Sequence, residues 1–184
     1  MSSPIVRRRH DAIGRLASTD EKRSEYLAFV LAGETYAARI SLVAEILRPP
    51  PITEVPRAPV PIIGVVSVRG RLVTVMDLRR RFSLPEAVID TKSRILLVDA
   101  GGEEHVGLLV DEVLQVYRLA ESEVEPANVL GGEQPAHLVG VGRPSVPDSR
   151  RGEGPVLVLL DLRAAIDSRG ESTGALPARR PIAT

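Results

Sequence analysis

Gly33-Glu34-Thr35-Tyr36-Ala37-Ala38-Arg39-Ile40, followed by Val43-Ala44-Glu45-Ile46-Leu47, returns later in the chain as Gly102-Glu103-Glu104-His105-Val106-Gly107-Leu108-Leu109, followed by Val110-Asp111-Glu112-Val113-Leu114. Ile63-Gly64-Val65 leading to Val75-Met76-Asp77-Leu78-Arg79 likewise returns as Val139-Gly140-Val141 leading to Leu159-Leu160-Asp161-Leu162-Arg163. Self-similarity in the same order marks a repeated structural unit, so the globular part reads as two related subdomains in tandem. The spacing between matched residues widens along the chain, from Glu45 and Glu112 through Gly64 and Gly140 to Asp77 and Asp161. Most of the last increment is the Pro-, Gly- and Arg-rich stretch 143–155, which reads as a solvated loop interrupting a hairpin that the first copy closes tightly at Arg69-Gly70-Arg71.

Composition narrows the function classes. The chain has 184 residues, enough to bury roughly 70% of its unfolded surface without a metal or disulfide. It has no cysteine, which excludes disulfides, thiol nucleophiles and cysteine-ligated zinc. No apolar run approaches the ~20 residues that span a bilayer, and no apolar core follows the charges near the N-terminus, so a cytoplasmic protein is expected. Net charge is +0, and Lys22 and Lys92 are the only lysines among the basic residues. The arginine clusters have few aromatics near them, only 3% of the chain, so the stacking surface that holds single-stranded nucleic acid is missing.

The apolar pattern predicts elements from residue 25 to residue 167, with flexible polar tails at 1–24 and 168–184. Residues 26–31 and 35–40 read as a hairpin. Ser41 is placed to cap a short helix carrying Leu42, Val43, Ile46 and Leu47, ended by Pro49-Pro50-Pro51. Residues 52–55 read as a strand. Residues 62–68 and 72–76 form the clearest hairpin, with Gly70 supplying the positive φ of its turn. Residues 93–98, 106–110, 113–117, 138–141 and 156–160 supply the strands of the second copy. Many short strands and few short helices argue for a mainly β fold of two tandem, five-stranded, small antiparallel barrels. The first would run from about 25 to 85 and the second from about 93 to 160, with strand exchange or a shared core allowed.

Candidate chemistry is sparse. Asp77 and Asp161 each follow an apolar strand and precede Leu-Arg, the context of a helix cap rather than of paired catalytic acids. His10, His105 and His137 have no ligand spacing, so no metal site is expected. There is no phosphate-binding Gly-x-x-x-x-Gly-Lys loop and no Gly-x-Ser-x-Gly elbow, so neither cofactor nor catalytic residue is assigned. A binding role outranks an unrecognised small enzyme.

Val43-Ala44-Glu45-Ile46, then Ile52-Thr53-Glu54-Val55-Pro56-Arg57-Ala58-Pro59, then residues 63–70 running into Met76-Asp77-Leu78-Arg79, with Gly-Leu-Leu-Val-Asp-Glu-Val at 107–113, together resemble the CheW family of chemotaxis coupling proteins. Ser67-Val68-Arg69-Gly70 stands where the family usually has Asn-Leu-Arg-Gly, and Thr74 stands where proline is common. The resemblance implies a non-catalytic scaffold joining methyl-accepting chemotaxis receptors to the regulatory domain of a CheA-type histidine kinase. It implies recruitment to receptor arrays and a two-component pathway serving chemotaxis or another chemosensory output. It implies a receptor-binding set of Val43, Glu45, Ile46, Gly64 and Arg69, and a kinase contact in the second subdomain. A fragment of a larger kinase or a receiver-fused coupler would share the domain, but this chain has no room for a second catalytic module.

Overall fold

A computed structural model of the chain describes residues 22–101, 104–129, 134–145 and 154–167. The expected tails lie outside these residues apart from 22–24, as does most of the 143–155 loop. In chain order the strands are β1 (Ser24–Leu31), β2 (Glu34–Arg39), β3 (Val43–Leu47), β4 (Ile62–Val68), β5 (Arg71–Asp77), β6 (Arg94–Gly101), β7 (Glu104–Val110), β8 (Glu112–Leu119), β9 (Val124–Pro126), β10 (Leu138–Gly142) and β11 (Leu157–Leu160). Two short helices, α1 (Leu78–Arg81) and α2 (Leu162–Asp167), follow β5 and β11. The strands make a six-stranded sheet ordered β8-β1-β2-β11-β10-β9 and a five-stranded sheet ordered β3-β6-β7-β5-β4.

Each sheet takes strands from both copies of the repeat. The β1–β2 hairpin of the first copy sits among β8 to β11 of the second, and the β6–β7 hairpin of the second sits among β3, β4 and β5 of the first. Most neighbours are antiparallel, but each exchanged hairpin joins its host through one parallel pair, β2 with β11 and β7 with β5. The physical reason lies in the exchanged strands themselves. A strand alternates its side chains between two faces, so a nearly continuous apolar run is stable only where both faces are covered. In β6, Ile95 and Leu97 point into a small core with Val66, Val73, Val75 and Leu109, while Leu96 and Val98 point the other way into a larger core shared by the two sheets. In β1 the same alternation sends Tyr26 and Ala28 to a small core with Leu157 and Leu159, and Leu27, Phe29 and Leu31 to the shared one.

The shared core lies between the sheets and includes Phe29, Tyr36, Met76, Leu78, Phe82, Leu96, Leu108 and Leu160. Phe29, Tyr36, Phe82 and His137 continue across it as a run of near-parallel rings. The two helices cap this layer as expected: Asp77 Oδ1 accepts from Arg79 N at 2.8 Å, and Asp161 Oδ1 accepts from Arg163 N at 2.9 Å.

Gly64 and Gly140 show why the repeat keeps a glycine there. Each follows a register break in its hairpin, and each lies under a crossing backbone, so that a Cβ would sit 2.3 Å from Thr53 O in one copy and 2.3 Å from Glu125 O in the other. No side chain fits. The segment over Gly140 is the strand β9, whereas over Gly64 the expected strand at 52–55 is reduced to one bridge, Thr53 to Val65. Prolines at 49–51, 56, 59 and 61 surround that bridge, and a residue without an N–H cannot extend a ladder.

The helix expected at 42–47 does not form. Ile40–Leu42 makes a single 3-10 turn with no side-chain cap, and Val43–Leu47 is a strand paired with β6. The nine residues from Ile40 to Arg48, between a hairpin and a triple proline, are too few to repay helix nucleation, while the open edge of β6 offers Val43–Leu47 an antiparallel ladder.

Candidate functional site

β3 and β4 are the two edge strands of the five-stranded sheet. A side-chain bond links their two sides of the sheet: Arg69, at the tip of the β4–β5 hairpin, donates from Nη2 to Glu45 Oε1 of β3 at 2.9 Å. The guanidinium side of the pair is 79% exposed and its carboxylate side 31% exposed, so it contributes about 0–1 kcal/mol to stability.

The backbone under Arg69 carries a further signal. Arg69 has φ +50° and Gly70 φ +80°, a two-residue turn with both central residues left-handed, as strands twisted in the native sense require. Glycine alone was expected to supply that conformation. An arginine there stores on the order of 1 kcal/mol of backbone strain, and the strain presents an exposed guanidinium above an acidic partner.

The other expected site residues separate by position. Val43 is half-buried and packs against the shared core. Ile46 is 41% exposed and lies on the opposite face of β3 from Glu45. Gly64 is buried under Ile52 and Thr53, so it shapes the hairpin and presents no surface. The structure therefore brings Glu45 and Arg69 together, sets Ile46 outward on the strand beside them, and gives Val43 and Gly64 supporting places. Leu72, 77% exposed on the same hairpin, was not singled out, because an apolar residue next to a buried apolar run looks like core in the sequence.

Ionisable groups elsewhere are engaged in holding the fold. Burial raises the Asp77 carboxyl above its ordinary range, against its capping bonds and the Arg80 and Arg79 charges. Burial, and then the Arg81 charge, lower His137, whose ring stacks on Phe82 at 4.5 Å. Arg81 itself donates from Nε to Ala165 O at 2.7 Å, tying α1 to α2. Asp77 and Asp161 sit at equivalent ends of different sheets and each accepts backbone N–H bonds, so they do not converge on a substrate. Among the described residues no group of three His, Asp or Glu is arranged to hold a metal ion. None of their helices is long and apolar enough to cross a membrane.

A family model described as a CheW-like domain matches residues 25–170. The chain belongs to the CheW family. It is 31% identical over 151 residues to a chemotaxis protein CheW of Bacillus subtilis (strain 168), covering 82% of this chain and 91% of that protein. It is 32% identical over 126 residues to Protein FrzA of Myxococcus xanthus, covering 68% of this chain and 78% of that one. The CheW fold appears in the same way in the crystal structure of scaffolding protein TtCheW from Thermoanaerobacter tengcongensis, with a TM-score of 0.68, 27% identity, and 82% and 97% of the two chains covered. As a CheW-family protein with a mainly β fold and the neighbours above, the chain is a scaffold of the chemotaxis coupling type.

Proposed function

We propose that this CheW-family protein is a non-catalytic adaptor that couples methyl-accepting receptors to a CheA-type histidine kinase and is held at receptor arrays through those contacts. The observation that carries the reading is the Arg69–Glu45 pair, an ion pair held by a strained turn between the two edges of the five-stranded sheet. Its strength in water is too small to explain its place in the fold, and its geometry suits several directed hydrogen bonds to a partner. Arg69 and Glu45 form the centre of the receptor-binding site in this proposal, Ile46 adds an exposed apolar contact from the other face of the same edge strand, and Val43 and Gly64 support them. The kinase takes a different surface, in the second copy, because an adaptor raises local concentration only when both partners are engaged together.

Reconstitution tests the proposal. Purified protein should co-sediment with receptor-containing membranes and kinase in one complex, and receptor should not displace kinase. Strict competition between the two would overturn it, as would turnover of a small-molecule substrate by the protein alone. The alternative is that the same adaptor serves a chemosensory pathway other than motility, since the family model and the relatives specify the coupling fold and not its output. Deleting the gene and scoring migration in soft agar separates the two outputs.

A further inference from the structure

The chain passes from one sheet to the other at two places related by the repeat. At the first it leaves β2 through Ile40–Leu42 and enters β3; at the second it leaves β7 through Asp111 and enters β8. By the repeat, Asp111 stands where the first copy has Ala44.

The two crossings are held very differently. Asp111 Oδ1 accepts from Arg79 Nε at 2.6 Å, and its Oδ2 accepts from Arg79 Nη2 at 2.6 Å and from Ala32 N at 2.7 Å. Its own N–H donates to Val30 O at 3.1 Å. Arg79 also donates from Nη1 to Pro85 O, at the start of the segment joining the two copies. One bidentate pair, only 16% and 25% exposed, thus gathers α1, the joining segment, the sheet crossing and the β1–β2 turn. Arg163 is the repeat partner of Arg79. Lacking a carboxylate at Ala44, it reaches instead to Asp99, through Nε to the carbonyl at 3.2 Å and Nη2 to Oδ2 at 3.5 Å, with both side chains about half exposed.

We propose that Arg79 and Asp111 form a one-sided latch between the two sheets: the crossing at Asp111 is fixed, and relative motion of the sheets opens at the Ala44 side. A charge-assisted fork with two parallel bonds constrains angle as well as distance, whereas a long exposed contact in high dielectric constrains neither. Hinge-like motion is absorbed where the restraint is weakest, and the apolar layer between the sheets allows sliding while opposing separation.

Because the chain has no cysteine, single thiols for spin labels can be placed without removing native ones. Labels at Gln115 on the six-stranded sheet and Glu54 against the five-stranded one report the distance between the sheets. The wild-type distribution should be narrow. Asp111→Ala and Arg79→Ala should each broaden it, and the double substitution should broaden it no further than either alone, since the two residues act as a unit. Arg163→Ala should leave it unchanged. Equal broadening by Arg163→Ala, or a wild-type width in folded Asp111→Ala, overturns the latch. If the alanine variants do not fold, Asp111→Asn and Arg79→Lys keep the side-chain size while breaking the bidentate geometry. Those variants should fold and broaden the distribution, and failure of both to fold would make the pair a requirement of the core and overturn the latch.

Discussion

Arg69 and Gly64 show how one turn and one crossing separate recognition from support. Arg69→Ala removes an exposed ion pair and leaves the left-handed backbone to alanine, so its melting temperature should change little, while partner binding should fall by about 1–3 kcal/mol if the guanidinium anchors the interface. Co-sedimentation with receptor membranes, read beside a melting curve, checks both. Arg69→Gly is the informative companion: it should match the alanine variant in binding yet be more stable than it by roughly 1 kcal/mol, because glycine adopts the turn without strain. Gly64→Ala should do the reverse. Its Cβ would lie 2.3 Å from a backbone carbonyl that is itself bonded to Val65, so the crossing must shift and stability should fall by about 1–3 kcal/mol or more, seen as a lower urea midpoint. Gly140→Ala should match it, since the same contact recurs over Gly140.

At the scale of the element, α1 and the strand β10 hold the pH dependence of the fold between them. His137, the residue before β10, is buried against Phe82 of the α1 end and beside Arg81, and its folded pKa is lowered from 6.5. The unfolded chain therefore takes up a proton that the native state refuses, and stability declines as pH falls below about 6.5 toward the folded value. Asp77 works in the opposite sense. Its folded pKa is raised from 3.8, so in the window just above that value the native state binds the extra proton and gains stability as pH falls. Urea midpoints should drop from pH 7 to pH 5.5, and His137→Gln should flatten that drop; an unchanged slope in the variant would remove His137 as its cause. At the edges of the sheets, β3 and β8 each break register with their neighbours, at Val43/Glu45 and opposite Leu27/Phe29. Such bulges discourage uncontrolled strand pairing while leaving side chains such as Ile46 and Leu114 exposed.

At the scale of the whole molecule, exchange of hairpins makes the two copies interdependent. Neither copy alone owns a complete sheet, and the largest core is shared, so unfolding by urea should be a single transition with coincident fluorescence-independent probes such as far-UV circular dichroism and amide exchange. A chain cut within 86–92 should give two fragments that are unfolded apart and fold on mixing; two independently folded fragments would contradict this. The repeat, the tight β4–β5 hairpin, the aspartate caps and the mainly β class were legible in the sequence because each depends on residues close along the chain: a glycine turn, a carboxylate before a helix start, an alternation of apolar side chains. The strand at Val43–Leu47 was not, because its conformation is decided by the open edge of β6, some fifty residues away, and a short segment with little preference of its own follows its neighbour. The candidate site divided in the same way. Its residues could be named from local motifs, but whether Arg69 meets Glu45, Val43 packs inward or Gly64 lies under Thr53 is set by how the sheet brings its two edges together. The sequence by itself determined two copies, their turns and their caps; only the tertiary structure decided which copy each hairpin joins, because an apolar run buried on both faces specifies that it must be covered and not by whom.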